Sequence, residues 1–168
     1  MRQLTLKNST LLAVIDDEDF DKVSKFQYVI HQQGTWGPYA QRPGGMYLHR
    51  DVFEYIPPGF EVDHIDSDGL NCQKSNLRLA TAAQNRANSI KRDGCSTPYK
   101  GVCRATGRRK FTAYINYNHQ RVALGQFEHP QEAAIHYDMA ALKLYGEFAK
   151  LNFPENLEEY KEALGLVQ

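Results

Sequence analysis

The sequence is poor in cysteine, and the few cysteines it has are not arranged in pairs. The three cysteines, Cys72, Cys95 and Cys103, are odd in number and show no CxxC spacing. A disulfide framework and a zinc ribbon both need paired cysteines, so this pattern argues against both classes. We therefore expect reduced thiols, buried or half-buried, in a reducing compartment.

Long apolar runs are also missing. The longest clean run covers residues 11–15, whereas a membrane helix needs roughly 18–20 apolar residues. The first ten residues, MRQLTLKNST, lack the apolar core of a signal peptide. We expect a cytoplasmic protein that has no membrane partner.

The chain has no net charge, because 20 basic and 20 acidic side chains balance. This neutrality hides a strong segregation of charge along the sequence. Residues 86–125 carry nine basic side chains against one acidic side chain, a net charge of +8. Such a stretch is typical of a surface that binds a polyanion, although a solvated basic face would give the same pattern. The nine are Arg86, Lys91, Arg92, Lys100, Arg104, Arg108, Arg109, Lys110 and Arg121.

The apolar pattern of the first half predicts short strands and helices. Residues 1–45 are typical of strands and turns around one short helix. Residues 46–56 place apolar side chains on one helical face, and Pro57 with Pro58 ends this helix. Residues 60–91 predict a strand, a polar loop, a second strand and a helix.

The second half predicts an antiparallel sheet with one packed helix. The helix begins at Pro130 and stops at Gly146. Because the helix covers one face of the sheet, the other face is left for the basic residues. The three strands are expected at residues 99–105, 110–117 and 120–127. Together the two halves predict an α+β fold.

Four polar residues between residues 60 and 91 form a compact constellation. Asp63 and His64 end the first strand, Asn76 precedes the second strand, and Asn85 lies in the following helix. A carboxylate and an amide oxygen are hard ligands that suit Mg²⁺ or Mn²⁺. A neutral histidine can serve as the general base that activates water. These residues could instead be turn and cap residues.

Residues 46–91 resemble an HNH (ββα-metal) nuclease motif of the phage homing type. The resemblance rests on LHR (48–50), DHID (63–66), NLR (76–78) and TxxQNxxN (81–88). It implies that Asp63 and Asn85 bind the metal and that His64 is the general base. It further implies that Asn76 holds the loop that positions His64. His49 and Arg50 of LHR are expected either to contact DNA phosphate or to orient the neighbouring strand.

Residues 99–153 resemble an APETALA2/ethylene-response-factor DNA-binding domain. The resemblance rests on YKGV (99–102), LGQF (124–127), EAAIHYDMAALKLYGE (132–147) and AKLNFP (149–154). It implies that the outer face of the sheet docks in the major groove of double-stranded DNA. The contact residues implied are Lys100, Arg104, Arg108, Arg109, Lys110, Phe111 and Arg121. Arginines of the plant pattern are replaced by Cys103, Ala105 and Asn116, so only the docking mode is expected to carry over.

Together the two resemblances predict a metal-dependent DNA endonuclease of the homing type, acting in a bacterial or phage-infected host cell. One active site per chain predicts one nick per monomer, with a homodimer as the alternative state on DNA. A non-catalytic DNA-binding regulator with a degenerate nuclease module is the competing hypothesis. A nuclease directed at RNA is disfavoured, because the A-form major groove is too narrow for a sheet. The expected divisions are an N-terminal β-rich extension (1–45), a nuclease module (46–92), a linker (93–98), a DNA-binding domain (99–154) and an acidic helix (155–168).

Overall fold

A computed structural model describes residues 1–32, 37–91, 96–104, 107 and 109–166. Cys95 and the other linker residues at 93–95 lie outside these ranges. The chain divides into two compact units, Met1–Asn85 and Arg86–Gln168. Both units combine helices with antiparallel strands, so the α+β prediction is confirmed. Within the described ranges, no helix is both long and apolar enough to cross a membrane.

The first unit begins with two small antiparallel sheets and a short helix. β1 (Arg2–Thr5) pairs with β2 (Leu12–Ile15). The helix α1 (Asp17–Val23) follows, with three acidic residues in its first turn, where they interact favourably with the helix dipole. A three-stranded sheet is then formed, in order, by β3 (Val29–Gln32), β4 (Pro38–Arg42) and β5 (Met46–Tyr47).

The prediction of a helix at residues 46–56 is wrong at both ends. The observed helix α2 spans Leu48–Val52 only. Residues 46 and 47 pair with β4 instead, so strand hydrogen bonds replace the first helical turn. Phe53 is extended, with ψ 144°. The predicted apolar face still packs inward, since Leu48 and Val52 are both buried in the core.

A hairpin and the first half of a helix complete the first unit. β6 (Phe60–His64) pairs antiparallel with β7 (Leu77–Thr81), and α3 (Ala82–Asn88) follows directly. The capping box is formed as predicted. The Thr81 amide donates to Gln84 Oε1 at 2.8 Å, and the Gln84 amide donates to Thr81 Oγ1 at 3.3 Å. The helix ends at residue 88, three residues earlier than the capping pattern alone predicted.

One hydrophobic core serves the first unit. Its buried members run from Leu4 and Leu6 of the N-terminal segment to Val62 and Leu77 of the β6–β7 hairpin. Burial of this apolar surface therefore stabilises both parts at once. The first 45 residues and the hairpin share a single core.

The second unit has the predicted three-stranded antiparallel sheet with one packed helix. Strand β9 is central, and the helix α4 (Pro130–Tyr145) packs its alanines against Val102 and Ala113. The observed β8 is much shorter than its predicted strand. The strands are β8 (Val102–Cys103), β9 (Phe111–Tyr117) and β10 (Gln120–Phe127), and a last helix is α5 (Leu157–Ala163).

We predict that the second unit tolerates no side chain at Gly101 without loss of stability. Its φ is +74°, and a Cβ atom there would overlap the ring of Tyr137. Gly107 has a similar φ of +75° but open space around it. Gly107→Ala should cost about 1–2 kcal/mol, the backbone penalty alone. Gly101→Ala should cost a further ~1–3 kcal/mol from overpacking. Urea unfolding of both variants measures the difference, and equal losses would show that the ring contact is unimportant.

Candidate functional site

The candidate site lies at the end of the β6–β7 hairpin. Asp63 and His64 are the last two residues of β6, paired with Arg78 and Leu77 of β7. The Arg78 Nε atom donates to Asp63 Oδ2 at 2.9 Å. Both side chains are enclosed, with 13% of Arg78 and 5% of Asp63 exposed. This guanidinium therefore compensates the charge of a buried carboxylate.

The side chain of Asn76 closes the loop that follows His64. Its Oδ1 atom accepts a hydrogen bond from the Asp66 amide at 3.0 Å. Its Nδ2 atom donates to Asp66 Oδ1 and to the Asn71 carbonyl, both at 2.9 Å. The Ile65 amide in turn donates to the Asn76 carbonyl at 2.8 Å. Asn76 is thus placed to determine where β6 ends.

His64 is a buried histidine at the end of its strand, with 6% of its surface exposed. Burial lowers its pKa, against the raising influence of the nearby carboxylates of Asp66, Asp63 and Asp68. The ring is therefore neutral at neutral pH, which is the form that can accept a proton. Its Nε2 atom lies 3.8 Å from the Cys72 sulfur.

Three further aromatic rings surround His64. The His49 ring lies 4.8 Å from the His64 ring at an interplanar angle of 85°, and Tyr47 stacks on His49 at 5.4 Å and 9°. Tyr39 lies 5.8 Å from His64. Burial is also the main cause of a raised pKa at Tyr39, with the Asp63 carboxylate as the second cause. The phenol consequently stays protonated.

The structure separates His49 from Arg50, which the sequence analysis grouped together. Arg50 is exposed, whereas only 9% of His49 is exposed. Burial, with the neighbouring His64 and Arg50, lowers the pKa of His49 to about 3. Its Nδ1 atom is buried and has no hydrogen-bond partner among the described residues. Of the two side chains, only that of Arg50 is presented to solvent for a phosphate contact.

Asn85 is brought to the strand that carries Asp63. Its Nδ2 atom donates to Glu61 Oε2 at 2.6 Å. Glu61 lies two residues before Asp63, and residues two apart share one face of a strand. Because the carboxylate accepts from the amide nitrogen, the oxygen of Asn85 is the end left for a cation. The sequence analysis missed Glu61, although its position two residues before Asp63 could have indicated it.

The donor set fits a hard divalent cation. Asp63 offers a carboxylate and Asn85 an oriented amide oxygen, and both are ligand types that Mg²⁺ and Mn²⁺ prefer. Among the described residues, no three His, Cys, Asp or Glu side chains converge as a metal site. A cation bound here would therefore depend on the amide and on water or substrate oxygens.

The outer face of the second sheet carries an exposed arginine held by an aromatic ring. The guanidinium of Arg121 lies 3.5 Å from the centre of the Tyr114 ring and donates to the Cys103 sulfur at 3.5 Å. Arg109 and Lys110 are also exposed. Arg108, which was predicted to bind DNA, lies outside the described residues.

Three predicted DNA contacts also make contacts within the second unit. Phe111 shares the helix-facing side of β9 with Ala113 and packs, half-buried, against the core, so the ring lies opposite the expected outer face. The ammonium group of Lys100 donates to the Ala87 carbonyl. Arg104 lies over the Phe111 ring, 5.5 Å from its centre, and stays exposed. The Phe111 ring is only half-buried, and its contact with DNA stays a prediction.

Comparisons with known proteins find an HNH match in the middle of the chain and plant relatives towards its C-terminus. Residues 47–87 match the family model described as HNH endonuclease. An uncharacterized HNH endonuclease of Acanthamoeba polyphaga mimivirus is 34% identical over 135 residues, covering 77% of this chain and 68% of that protein.

Two plant relatives match a C-terminal region of the chain. Dehydration-responsive element-binding protein 2D of Arabidopsis thaliana is 46% identical over 70 residues, which are 40% of this chain and 34% of that protein. An ethylene-responsive transcription factor of the same plant is 41% identical over 61 residues, 35% of this chain and 33% of that protein. The chain thus spans about a third of the length of these plant relatives.

The hydrogen bond from Asn85 to Glu61 predicts a measurable effect on cation binding. Glu61→Ala should weaken Mn²⁺ binding about tenfold, because the amide loses the partner that orients it. Glu61→Gln keeps an acceptor oxygen but loses the charge, and should bind within about threefold of the parent. Electron paramagnetic resonance of free Mn²⁺ measures the Mn²⁺ affinity of both variants. The control is Glu54→Ala, because Glu54 is an exposed carboxylate of the same unit. Equal losses in the Gln and Ala variants would show that charge, not orientation, matters.

Proposed function

The chain belongs to the HNH endonuclease family, and from that membership we propose that it cleaves double-stranded DNA by metal-dependent hydrolysis of a phosphodiester. The observation that carries this proposal is the β6–β7 hairpin end. There a neutral, buried histidine adjoins a buried carboxylate, and an oriented amide comes from the following helix.

In the proposed mechanism, His64 accepts the proton of the attacking water. Its lowered pKa keeps the ring neutral and ready to do so. Asp63 and Asn85 would hold Mg²⁺ or Mn²⁺. The cation, when bound, supplies positive charge for the phosphate oxygens and the leaving oxygen in the transition state. Asn76 keeps His64 in place through the loop that it closes.

Arg78 supports the same chemistry from β7. In the structure its guanidinium holds the Asp63 carboxylate at 2.9 Å. A carboxylate fixed in this way loses little conformational entropy when a cation arrives. Arg78 therefore acts in the proposal as a positioning residue for Asp63.

The second unit would supply DNA affinity. Its net positive stretch and its similarity to plant proteins named for DNA-element binding and transcription support this role. Arg121, Arg109, Lys110 and Arg104 are exposed and are the contacts we propose, with Arg50 of the first unit. Docking of the sheet in the major groove remains part of this proposal.

One site per chain leads us to propose a single nick per monomer. A double-strand break would then require two chains at one target, as in a homodimer. We further propose that the enzyme is of the homing type. The viral source of one relative supports an infected host cell as its place of action. The alternative is a DNA-binding regulator that does not cleave DNA. The next experiment distinguishes this regulator from a nuclease.

His64→Ala should lower the rate of plasmid nicking by roughly 10²–10⁴, the usual contribution of a positioned general base. DNA affinity should stay within a few-fold, because the ring is buried and carries no charge at neutral pH. Gel analysis of supercoiled plasmid with Mg²⁺, Mn²⁺ or EDTA gives the rates. A parental nicking rate in the variant would contradict the role of His64 as the base. If the parent protein does not nick with either metal, the result would favour the regulator.

DNA binding should be steeply dependent on salt despite the neutral chain. If roughly five basic groups of residues 86–125 meet phosphates, the slope of log K against log[salt] should be about −4 to −5. Arg109→Ala with Arg121→Ala should flatten that slope by about two. Fluorescence anisotropy on a duplex measures it. As a control, Lys7→Ala with Lys25→Ala removes two exposed charges of the first unit. If both double variants flatten the salt slope equally, the assignment of the DNA-binding surface would be contradicted.

A further inference from the structure

Tyr39 contacts the proposed general base from outside the HNH-matched residues. It lies on β4, eight positions before the match to the family model begins at residue 47. Its ring centre is 5.8 Å from that of His64, 5.9 Å from that of His49 and 5.8 Å from that of Tyr47. Tyr39 thus contacts three other rings of the cluster.

The space around the Tyr39 ring is also limited by the loop that follows His64. A Cβ atom at Gly69 would lie 2.6 Å from Tyr39 Cδ1 and 2.5 Å from the Pro38 carbonyl oxygen. Real Cβ atoms essentially never come so close, so only glycine fits here without displacing the ring. The ring therefore lies close to both the Gly69 backbone and His64.

The rings of this cluster pack against one another. The Nδ1 atom of His49 has no hydrogen-bond partner among the described residues, although its ring lies 4.8 Å from that of His64. Close-packed rings restrict each other's rotation, since a rotated ring would overlap its neighbours. Rings from β4 and α2 thus restrict the orientation of His64.

We infer that Tyr39 is a positioning residue for His64, whose ring packing keeps the imidazole in the orientation needed for proton transfer. The inference rests on the proposed function of His64 as the general base. It assigns a catalytic contribution to the N-terminal 45 residues, beyond their share of the core. The hydroxyl group of Tyr39, which is close enough to Asp63 to sense its charge, is not required for this role.

The test compares Tyr39→Phe, which keeps the ring, with Tyr39→Leu, which removes it. Single-turnover nicking at saturating DNA should fall roughly ten- to a hundredfold in the Leu variant, because a small misplacement of a reacting group has such effects. The Phe variant should retain at least half of the parental nicking rate. DNA affinity should be unchanged in both, since Tyr39 is not among the proposed DNA contacts.

A spectroscopic readout separates ring position from activity. The Cε1–H resonance of His64 in protein with ¹³C-labelled histidine is assigned by its loss in His64→Ala. Tyr39→Leu should move this resonance more than those of the histidines outside the ring cluster, such as His129 and His136, whereas Tyr39→Phe should leave it near its parental position. Thermal unfolding of each variant identifies any that fails to fold.

Gly69→Ala offers a second route to the same ring, with Gly37→Ala as its matched control. Neither glycine has a positive φ, but only Gly69 faces the Tyr39 ring, while Gly37 has open space. Gly69→Ala should reduce nicking and move the His64 resonance, and Gly37→Ala should do neither.

The outcomes are distinguishable. A parental rate and resonance in Tyr39→Leu would overturn the inference and leave the proposed function intact. An equal loss in the Phe and Leu variants would also overturn it, because the hydroxyl would then be the active group. Absence of nicking by the parent protein would instead overturn the proposed function, and the inference with it.

Discussion

The hydrogen bonds of the Asn76 side chain connect both ends of the loop that separates β6 from β7. A side-chain amide has one acceptor oxygen and two donor hydrogens, and here both ends of the amide bond to the loop, to Asp66 and Asn71. This closure favours the observed register of β7, with Arg78 opposite Asp63. Without this closure, neither the buried ion pair nor the position of His64 would be determined.

The second requirement of the site is the shared core. Burial of Leu4 beside Val62 and Leu77 ties the N-terminal hairpin to the strand that ends in His64. The aromatic rings extend this dependence to the site itself, since Tyr39 and Tyr47 belong to the sheet before α2. The polar residues that attract attention in the sequence are thus oriented by apolar and aromatic residues that carry no motif.

Local patterns predicted much of the fold. The Thr81–Gln84 capping box, the strand alternation around Asp63 and the Pro130–Gly146 helix boundaries depend on neighbours in sequence, and each was identified. Pairing between distant segments was not predictable in this way. Strand β5 shortened the helix expected at residues 46–56, and nothing local marks Tyr39 as a neighbour of His64. For Phe111, strand alternation could have indicated the core side, but the family pattern outweighed it.

The shared core and ring cluster determine where this protein could be cut and joined to another. A chimaera that transferred residues from 46 onward would carry every polar residue of the proposed site and the whole HNH match. It would leave behind Leu4, Ala13, Ile15 and Tyr39, and with them one wall of the core and one wall around His64. A junction within the first unit would therefore have to reproduce those walls. The transferable unit of this protein is larger than its recognisable motif.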